Sequence, residues 1–346
     1  MVDVVVDPEF YYRVRKYEQE TDRYKEYRRR WNDNPKNNVV ESFPIHLDIE
    51  VTNACNYKCY MCFQAFDPPK YGFMDFDLFK KMIDEGEKHG LCSIKLLFRG
   101  EPLLHKDIVK MVAYAKQHGV IEVAFNTNAS LLTESRAREF IEAGLDKIVC
   151  SVDGCTKEVY ERIRIGGNFD VVLGNIKRLQ EFKKEMGVSH PIVRVQMVDT
   201  PKNHHQIPEY IEFWGKIADQ VATEALYEWE HMAEDPSVSK EFCCAQLWQR
   251  LMILWNGDVV LCCGDNRGRL RVGNVMKDNL ADIWQSERLK VYRGLHLKGE
   301  SHKMEICRRC GLRKSYIVKK SAELQGQTVT IMPSGDASAA TLQIKS

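Results

Sequence analysis

The sequence lacks the long apolar runs and the charge imbalance that mark membrane or nucleic-acid proteins. No apolar stretch reaches the roughly eighteen residues that a spanning helix needs. Its 50 basic and 49 acidic residues give a net charge of +1, so no basic excess indicates nucleic-acid binding. Residues 1–7 lack the charged and apolar regions of a secretory signal. We therefore expect a cytoplasmic protein that contacts neither membrane nor nucleic acid.

Cysteine, in contrast, is abundant, with 12 residues in a chain of 346. Disulfides are rare in reducing compartments, so metal binding is the better explanation of these thiols. The length allows one large α/β domain and a smaller one. We therefore expect a soluble metalloenzyme.

Cys55, Cys59 and Cys62 form a CxxxCxxC motif directly after residues 46–51, whose alternating polarity predicts a strand. Thiolates are soft ligands that suit iron–sulfur clusters, zinc or copper(I). Three of them satisfy three corners of a cuboidal cluster and leave one iron without a protein ligand. Zinc remains an alternative, although structural zinc sites prefer four protein ligands in CxxC-type pairs.

The motif and its position resemble the signature of the radical S-adenosylmethionine (SAM) enzymes, a match that its context must support. The resemblance implies that the open iron chelates the amino and carboxylate groups of SAM. An electron from a low-potential donor such as flavodoxin or ferredoxin then splits SAM to methionine and a 5′-deoxyadenosyl radical, which takes a hydrogen atom from the substrate. The family's adenine-side residue before the last cysteine is usually aromatic; here it is Met61.

Strand and helix patterns alternate after the motif. Counting from His46, six strands are predicted, the later five at residues 93–101, 121–128, 147–154, 192–198 and 221–229. Such alternation indicates parallel strands with right-handed crossovers, and it matches the partial (β/α)6 TIM barrel that the resemblance implies. Sites in such barrels gather at the carboxyl ends of the strands.

The patterns also predict the domain organisation. We expect an N-terminal helical arm at residues 1–42, with a helix from about residue 8 to 31 and a turn at 32–38. The barrel should occupy residues 43–235. Residues 236–320 should form a β-hairpin and helix domain that binds a second cluster, and residues 321–346 should form a flexible tail.

The end of the second predicted strand looks like the family's GGEP element. Arg99 replaces the first glycine, and Gly100 and Glu101 follow. The resemblance implies that the strand-end backbone and Glu101 hold the SAM amino group. On the third strand, Asn126 and Asn128 point to one side by period-two counting and are further candidates for cofactor binding.

The fourth strand ends in Ser151 and Asp153, which resemble a family element near the SAM ribose. After it, Arg164 is our candidate for gripping the SAM carboxylate, with Arg162 as the alternative, because a guanidinium forms two hydrogen bonds with a carboxylate. Strand capping and turn formation are the plainer explanations for each of these polar residues.

A second cysteine constellation follows the barrel. Residues 256–258 separate two apolar runs and give a strong hairpin signal, which brings Cys244 and Cys262 close enough to share a metal centre. A helix is predicted at residues 280–295, and Cys307 and Cys310 then supply a CxxC pair. Spacing alone does not exclude a zinc ribbon.

This region resembles the SPASM/Twitch extension of radical SAM enzymes. A full SPASM domain has seven cysteines and two auxiliary clusters, but no cysteine follows Cys310. The resemblance therefore implies one auxiliary 4Fe–4S cluster with Cys244, Cys262, Cys307 and Cys310 as ligands. Cys243 and Cys263 are left over, and spare buried thiols are usually small core residues.

The four-thiolate arrangement resembles that of aminoglycoside cyclitol dehydrogenases. The implied reaction removes hydrogen from an alcohol carbon of a small-molecule or sugar-type substrate, and the auxiliary cluster accepts the second electron. A proton acceptor is then needed. The exit of the sixth strand offers Glu228, Glu230 and His231, among which periodicity does not choose.

The alternative is an epimerase or peptide-modifying enzyme in which a thiol donates hydrogen to the substrate radical. Cys263 is the first candidate donor and Cys243 the second. Because we find no segment the size of a leader-binding domain, we favour a small molecule over a peptide. A zinc-stabilised binding module without catalysis is the remaining class, and it leaves Glu101, Ser151 and Asp153 unexplained.

Overall fold

The computed structural model describes residues 21–226, 243–310, 321–324, 327–331 and 342–344. Nine strands form one sheet in the order β6-β5-β4-β3-β2-β1-β7-β8-β9. They are β1 His46–Ile49, β2 Ser93–Lys95, β3 Glu122–Thr127, β4 Lys147–Ser151, β5 Ile192–Asp199, β6 Gln220–Ala225, β7 Arg250–Ile253, β8 Asp258–Val260 and β9 Arg271–Asn274.

Strands β1 to β6 are parallel and joined by helices, as predicted for the partial barrel. The described α-helices are α1 Asp22–Asn37, α2 Phe76–His89, α3 Ile108–Gln117, α4 Glu134–Glu142, α5 Lys157–Ile163, α6 Phe169–Glu185, α7 Ile207–Gly215, α8 Gln246–Gln249, α9 Leu280–Trp284, α10 Glu287–Leu297 and α11 Glu305–Arg308. Strand β2 is shorter than predicted: it ends at Lys95, and residues 96–101 continue as an irregular strand exit.

The two faces of the strands differ sharply in polarity. The face towards the helices is apolar and fully buried, with Leu47 and Ile49 on β1 and Cys150 on β4. The register joins Asp48 to Lys95 and Lys95 to Ala124 on the other face. This inner face carries most of the polar strand residues, namely Asp48, Lys95, Asn126, Ser151, Arg194, Gln196, Glu224 and Arg250.

Helix α1 packs against the amino-terminal end of the barrel. Trp31 makes an edge contact with the His46 ring, and Ser93 Oγ donates to Tyr27 Oη at 2.9 Å. The turn predicted at residues 32–38 is wrong, because the helix continues through Pro35 to Asn37. Proline cannot donate to the Trp31 carbonyl four residues earlier. Gln249 Nε2 donates to that oxygen instead, at 2.7 Å.

The predicted hairpin forms β7 and β8, and it is part of the barrel sheet. Strand β7 pairs in parallel with β1, so that His46 lies beside Arg250 and Asp48 beside Met252. Strands β8 and β9 extend the sheet in antiparallel fashion. The helix predicted at residues 280–295 is two helices, because the chain turns between Trp284 and Glu287 and Ser286 caps the second helix.

Within the predicted tail, the backbone forms three short antiparallel strands: β10 Ser321–Leu324, β11 Gln327–Ile331 and β12 Leu342–Ile344. The boundaries of the domains stay predictions. Among the residues that the structure describes, no helix combines the length and apolar character needed to cross a membrane.

Candidate cofactor and cluster sites

The CxxxCxxC loop lies at the carboxyl end of β1, and backbone hydrogen bonds fix it from the side of helix α5. Lys58 N–H donates to the Ile165 carbonyl at 2.9 Å, and Tyr60 N–H donates to the Ile163 carbonyl at 3.3 Å. Cys59 is buried, while Cys55 and Cys62 are half-buried. The loop thus presents its three thiols from a backbone that is hydrogen-bonded to the end of helix α5.

Burial disfavours the thiolate form of these cysteines. It raises the pKa of Cys55 to about 12, and it also raises the pKa values of Cys59 and Cys62. At Cys59 the Arg164 guanidinium acts in the opposite direction, since its Nη1 lies 3.7 Å from Sγ. Because ligation requires thiolates, metal binding here must release protons.

The GGEP-like element meets the cysteine loop through its backbone. Gly100 has φ of 76°, and a Cβ built on it would lie 2.6 Å from the Ala54 carbonyl oxygen. Glu101 N–H donates to the same oxygen at 2.7 Å. Glycine is therefore required at position 100 both by its backbone angle and by this close approach.

The Glu101 carboxylate joins two neighbouring strand ends. Oε1 accepts hydrogen bonds from Thr127 Oγ1 at 2.7 Å and from Leu103 N–H at 3.0 Å, and Oε2 accepts one from Asn128 N–H at 2.7 Å. Burial raises the pKa of Glu101, and these donors counteract that effect. Both oxygens thus have protein partners, which gives the side chain a positioning role; its contact with SAM stays a prediction.

The two asparagines of β3 and its exit have different surroundings. Asn128 Nδ2 donates to Asn56 Oδ1 at 2.8 Å, and its Oδ1 accepts from Ser130 Oγ at 2.7 Å, so this side chain braces the cysteine loop. Asn126 Oδ1 is buried and has no hydrogen-bond partner among the described residues. A buried unpaired acceptor on the inner face fits a ligand that brings a donor.

Asp153 and Arg164 form a buried pair at the carboxyl end of β4. Arg164 Nε donates to Asp153 Oδ2 at 2.5 Å, and the other carboxylate oxygen accepts from Val198 N–H at 2.7 Å. Arg162 is exposed and donates to the Lys202 carbonyl. Arg164, and not Arg162, therefore lies beside the cysteine loop; its contact with the SAM carboxylate stays a prediction.

Two further predicted cofactor residues lie at the same end of the barrel. Met61 is half-buried and packs against the main hydrophobic core. Ser151 is half-buried on the inner face of β4, beside Gln196 of β5. Their contacts with adenine and ribose also stay predictions.

The second group of cysteines lines one cavity of predominantly apolar character. Its lining includes all four predicted ligands and Cys263: Cys244, Cys262, Cys263, Cys307 and Cys310. Burial raises the pKa of Cys244 to about 12, and burial together with its thiol neighbours raises the pKa of Cys262 well above the ordinary value. In the described parts of the chain, no group of three His, Cys, Asp or Glu side chains is arranged to hold a single metal ion.

The donor set suits a larger soft centre. Several thiols converge on an apolar space from separate segments, and iron–sulfur clusters are held by such thiolates. The residues present therefore fit an auxiliary cluster, although the choice of four ligands among five cavity cysteines stays a prediction.

His296 is a cavity residue that the sequence patterns did not reveal. It is buried on helix α10, its Nδ1 accepts from Cys244 N–H at 3.2 Å, and its Nε2 lies 3.6 Å from Cys307 Sγ. Because Nδ1 accepts, the ring proton is assigned to Nε2, which then faces the Cys307 sulfur. No second histidine lies three or four positions from His296 in the sequence, so helical spacing did not indicate a site there.

Cys263 sits at the boundary between the cavity and the sheet. Its Sγ is 3.3 Å from Gln246 Nε2, and it packs beside Phe98 against Met252 and Leu254 of the hairpin. Cys243 is half-buried and packs against the main core. Glu228, Glu230 and His231 lie outside the described residues.

A further buried pair joins the two sites. Arg99 donates to both carboxylate oxygens of Glu50, at 2.5 and 2.7 Å. The alternation of His46, Asp48 and Glu50 along β1 signals a polar inner face, but it does not reveal that Glu50 meets Arg99.

Comparison with known families agrees with this geometry. The model of the radical SAM superfamily matches residues 49–207, and the model of the SPASM iron–sulfur cluster-binding domain matches residues 243–311. The chain belongs to the radical SAM superfamily and carries a C-terminal SPASM domain, as the two motifs predicted. Cofactors of this class are SAM, a SAM-binding 4Fe–4S cluster and an auxiliary cluster, so the cofactor prediction is confirmed.

Two curated relatives align with this chain over very different lengths. A Pyrococcus furiosus protein described as a tungsten-containing aldehyde ferredoxin oxidoreductase cofactor-modifying protein is 26% identical over 329 residues, covering 81% of this chain and 90% of its own. A probable GTP 3′,8-cyclase of Methanococcus maripaludis is 29% identical over 170 residues, covering 49% of this chain. The match spans only 54% of that cyclase.

Solved structures share the fold. BtrN in complex with AdoMet and 2-DOIA has a TM-score of 0.54 at 19% identity, covering 79% of this chain and 94% of BtrN. Streptococcus suis SuiB bound to S-adenosylmethionine has a TM-score of 0.59 at 17% identity, covering 88% of this chain and 82% of SuiB. These structures confirm the predicted partial barrel with a C-terminal cluster-binding region.

Proposed function

We propose that this radical SAM protein is an oxidoreductase that dehydrogenates an alcohol-type carbon of a polar small molecule. The observation that carries the proposal is the convergence of the SPASM thiols on one buried cavity. When bound, SAM and its cluster supply a hydrogen-abstracting radical, and the auxiliary cluster supplies an acceptor for the second electron. A dehydrogenase needs both capacities within one fold.

The sheet is continuous between the SAM site and the auxiliary cluster site, which supports electron transfer from a substrate radical to the auxiliary cluster. Strand β7 pairs with β1, and the cysteine loop follows β1 while Cys262 and Cys263 follow β8. A substrate bound against the inner face would therefore contact elements from both domains.

The inner face supports a polar substrate. Asp48, Lys95, Asn126 and Ser151 all lie on it. Lys95 is half-buried and makes no hydrogen bond or ion pair with the described part of the chain, and Asn126 Oδ1 has no partner there either. Such groups hydrogen-bond hydroxyl or acidic substituents better than they contact an apolar ligand.

The Pyrococcus furiosus relative supports the same substrate class. Its description names the modification of an enzyme cofactor, and a cofactor is a polar small molecule. The proton acceptor for the alcohol stays a prediction among Glu228, Glu230 and His231. We expect a flavodoxin- or ferredoxin-type protein to be the reductant.

An anaerobic assay tests the proposal. Protein reconstituted with iron and sulfide and reduced with dithionite should release 5′-deoxyadenosine from SAM. Incubation with metabolite extract should then consume one compound and form a product two hydrogen atoms lighter. Absence of 5′-deoxyadenosine would overturn the radical SAM assignment, whereas a product of unchanged mass would overturn only the dehydrogenase.

The position of Cys263 favours a second candidate, an epimerase or peptide-modifying enzyme that uses a thiol as hydrogen donor. Cys263 packs beside Phe98 at the exit of β2, so its surroundings include more than the other cavity thiols. Under this alternative, Cys263→Ala, or Cys243→Ala if the second candidate is the donor, should abolish product formation while SAM cleavage persists. Unimpaired product from both variants would exclude it.

A further inference from the structure

Arg99, which stands where the family's GGEP element has its first glycine, contacts both parts of the molecule. Its Nε and Nη2 bind the two oxygens of Glu50, and its Nη1 donates to the carbonyl of Asn266 at 2.9 Å. The Arg99 side chain is 7% exposed and that of Glu50 is fully buried. Asn266 belongs to the loop that follows Cys262 and Cys263.

Glu50 extends the same connection to the hairpin. Its N–H donates to the Ile253 carbonyl at 2.8 Å, and Oε1 accepts from Trp255 N–H at 3.4 Å. Residue Phe98, next to Arg99, packs against Met252 and Leu254. The exit of β2 is thus held against the hairpin by hydrogen bonds through Glu50 and by the apolar packing of Phe98.

The two residues that follow Arg99 face the other site. Gly100 approaches the Ala54 carbonyl, and Glu101 binds that carbonyl and the end of β3. Four consecutive residues, 98–101, therefore connect the SPASM loop with the CxxxCxxC loop.

Stability alone does not explain a buried ion pair at this place, since apolar residues of similar volume are often as stabilising. What arginine adds is geometry, because its planar fork holds a carboxylate bidentately and still offers a donor in a third direction. Here that donor reaches Asn266.

We propose that Arg99 is a positioning residue that fixes the loop at residues 262–270 against the exit of β2, and so sets the separation of the two cluster sites. The proposal rests on the proposed function only in assuming that both sites hold iron–sulfur clusters. The connection itself belongs to the protein fold.

The test uses holoprotein in which the pair is removed without leaving a lone buried charge. Arg99→Met combined with Glu50→Met keeps similar volume and no net charge, and Arg99→Lys keeps the charge but not the fork. A matched control is Lys183→Met with Asp219→Asn, which removes a partly buried ion pair beside β5, towards the opposite edge of the sheet.

Amide hydrogen exchange is the first measurement. The N–H groups of Gly268, Arg269 and Leu270 hydrogen-bond to Asp265, so they report opening of the loop. In both Arg99 variants their exchange should accelerate at least about tenfold, while β3 peptides stay protected. The control pair should leave loop exchange unchanged.

Electron paramagnetic resonance of the fully reduced protein is the second measurement, because the relaxation that one cluster induces in the other falls steeply with distance. We expect weaker or more heterogeneous relaxation in the Arg99 variants at unchanged iron content. Loop exchange and relaxation both equal to wild type would overturn the proposal. Lack of iron or of 5′-deoxyadenosine in wild-type protein would instead contradict the proposed function, and the exchange result would still decide the role of Arg99.

Discussion

The two cysteine sites differ in how the chain brings their thiols together. The CxxxCxxC thiols lie within eight residues of sequence, on a loop fixed by backbone hydrogen bonds and with Arg164 3.7 Å from Cys59. The SPASM thiols come from three separate segments and line an apolar cavity in which burial and neighbouring thiols both raise the pKa of Cys262. The thiols of the first site thus come from one short segment, which the barrel holds by hydrogen bonds and beside a cation, whereas the thiols of the second site come from three segments that only the folded chain brings together.

The largest expected effect separates the sites most cleanly. Replacing Cys59 by Ala should abolish release of 5′-deoxyadenosine and lower bound iron by about half, since the SPASM cluster has its own ligands. Iron and sulfide assays with product chromatography check this. Complete loss of iron from folded Cys59→Ala protein would show that the sites do not load independently.

The converse change removes the second site. Cys307→Ala with Cys310→Ala should leave 5′-deoxyadenosine release detectable but eliminate two-electron oxidation of the substrate. Because a buried cluster also links its ligand segments, the melting temperature should fall more than it does in Cys59→Ala. An equal fall in both proteins would contradict the contrast between ligands from one segment and ligands from three.

Arg164 tests the electrostatic part of the comparison. Arg164→Met leaves Asp153 buried without its cation, which should cost about 3 kcal/mol of unfolding free energy. Adding Asp153→Asn should recover part of that loss. Chemical denaturation measures both; if Arg164→Met alone matches wild type, the pair does not stabilise this site.

Gly100 tests the close backbone contact at the first site. Gly100→Ala combines a positive φ with a carbonyl oxygen 2.6 Å from the new Cβ, whereas Gly90→Ala has a similar φ of 70° and open space. We expect about 1 kcal/mol of destabilisation for Gly90→Ala and clearly more for Gly100→Ala. Equal losses would mean that the strand exit adjusts freely.

The smallest expected effect concerns the second site. His296→Phe removes the ring N–H that faces Cys307 Sγ, so the midpoint potential of the auxiliary cluster should become lower, because hydrogen bonds to cluster sulfurs help set that potential. His296→Gln, which retains a donor, should restore much of it. Redox titration followed by electron paramagnetic resonance checks both variants. Identical potentials in wild type and both variants would show that the His296–Cys307 contact does not set the potential of the auxiliary cluster.

Local pattern was sufficient to predict the six parallel strands and the cysteine loop. Alternation identifies strands such as residues 46–51, and a three-cysteine motif needs no knowledge of the fold. Local pattern was insufficient to predict the Arg99–Glu50 contact, which joins residues 49 positions apart. It was also insufficient to predict the pairing of β1 with β7, which joins Asp48 to residues about two hundred positions later. The register that brings such residues together is set by burial of a whole face, which no single segment displays.

The parallel pairing of β7 with β1 also bears on how the chain can be divided. A fragment ending before residue 243 would leave β1 as an unprotected edge with free backbone donors and acceptors, next to the cysteine loop. Exposed edges of this kind recruit strands from other molecules. We expect an isolated barrel to self-associate through β1, so that the cluster-binding extension also covers an edge of the barrel sheet that would otherwise be exposed.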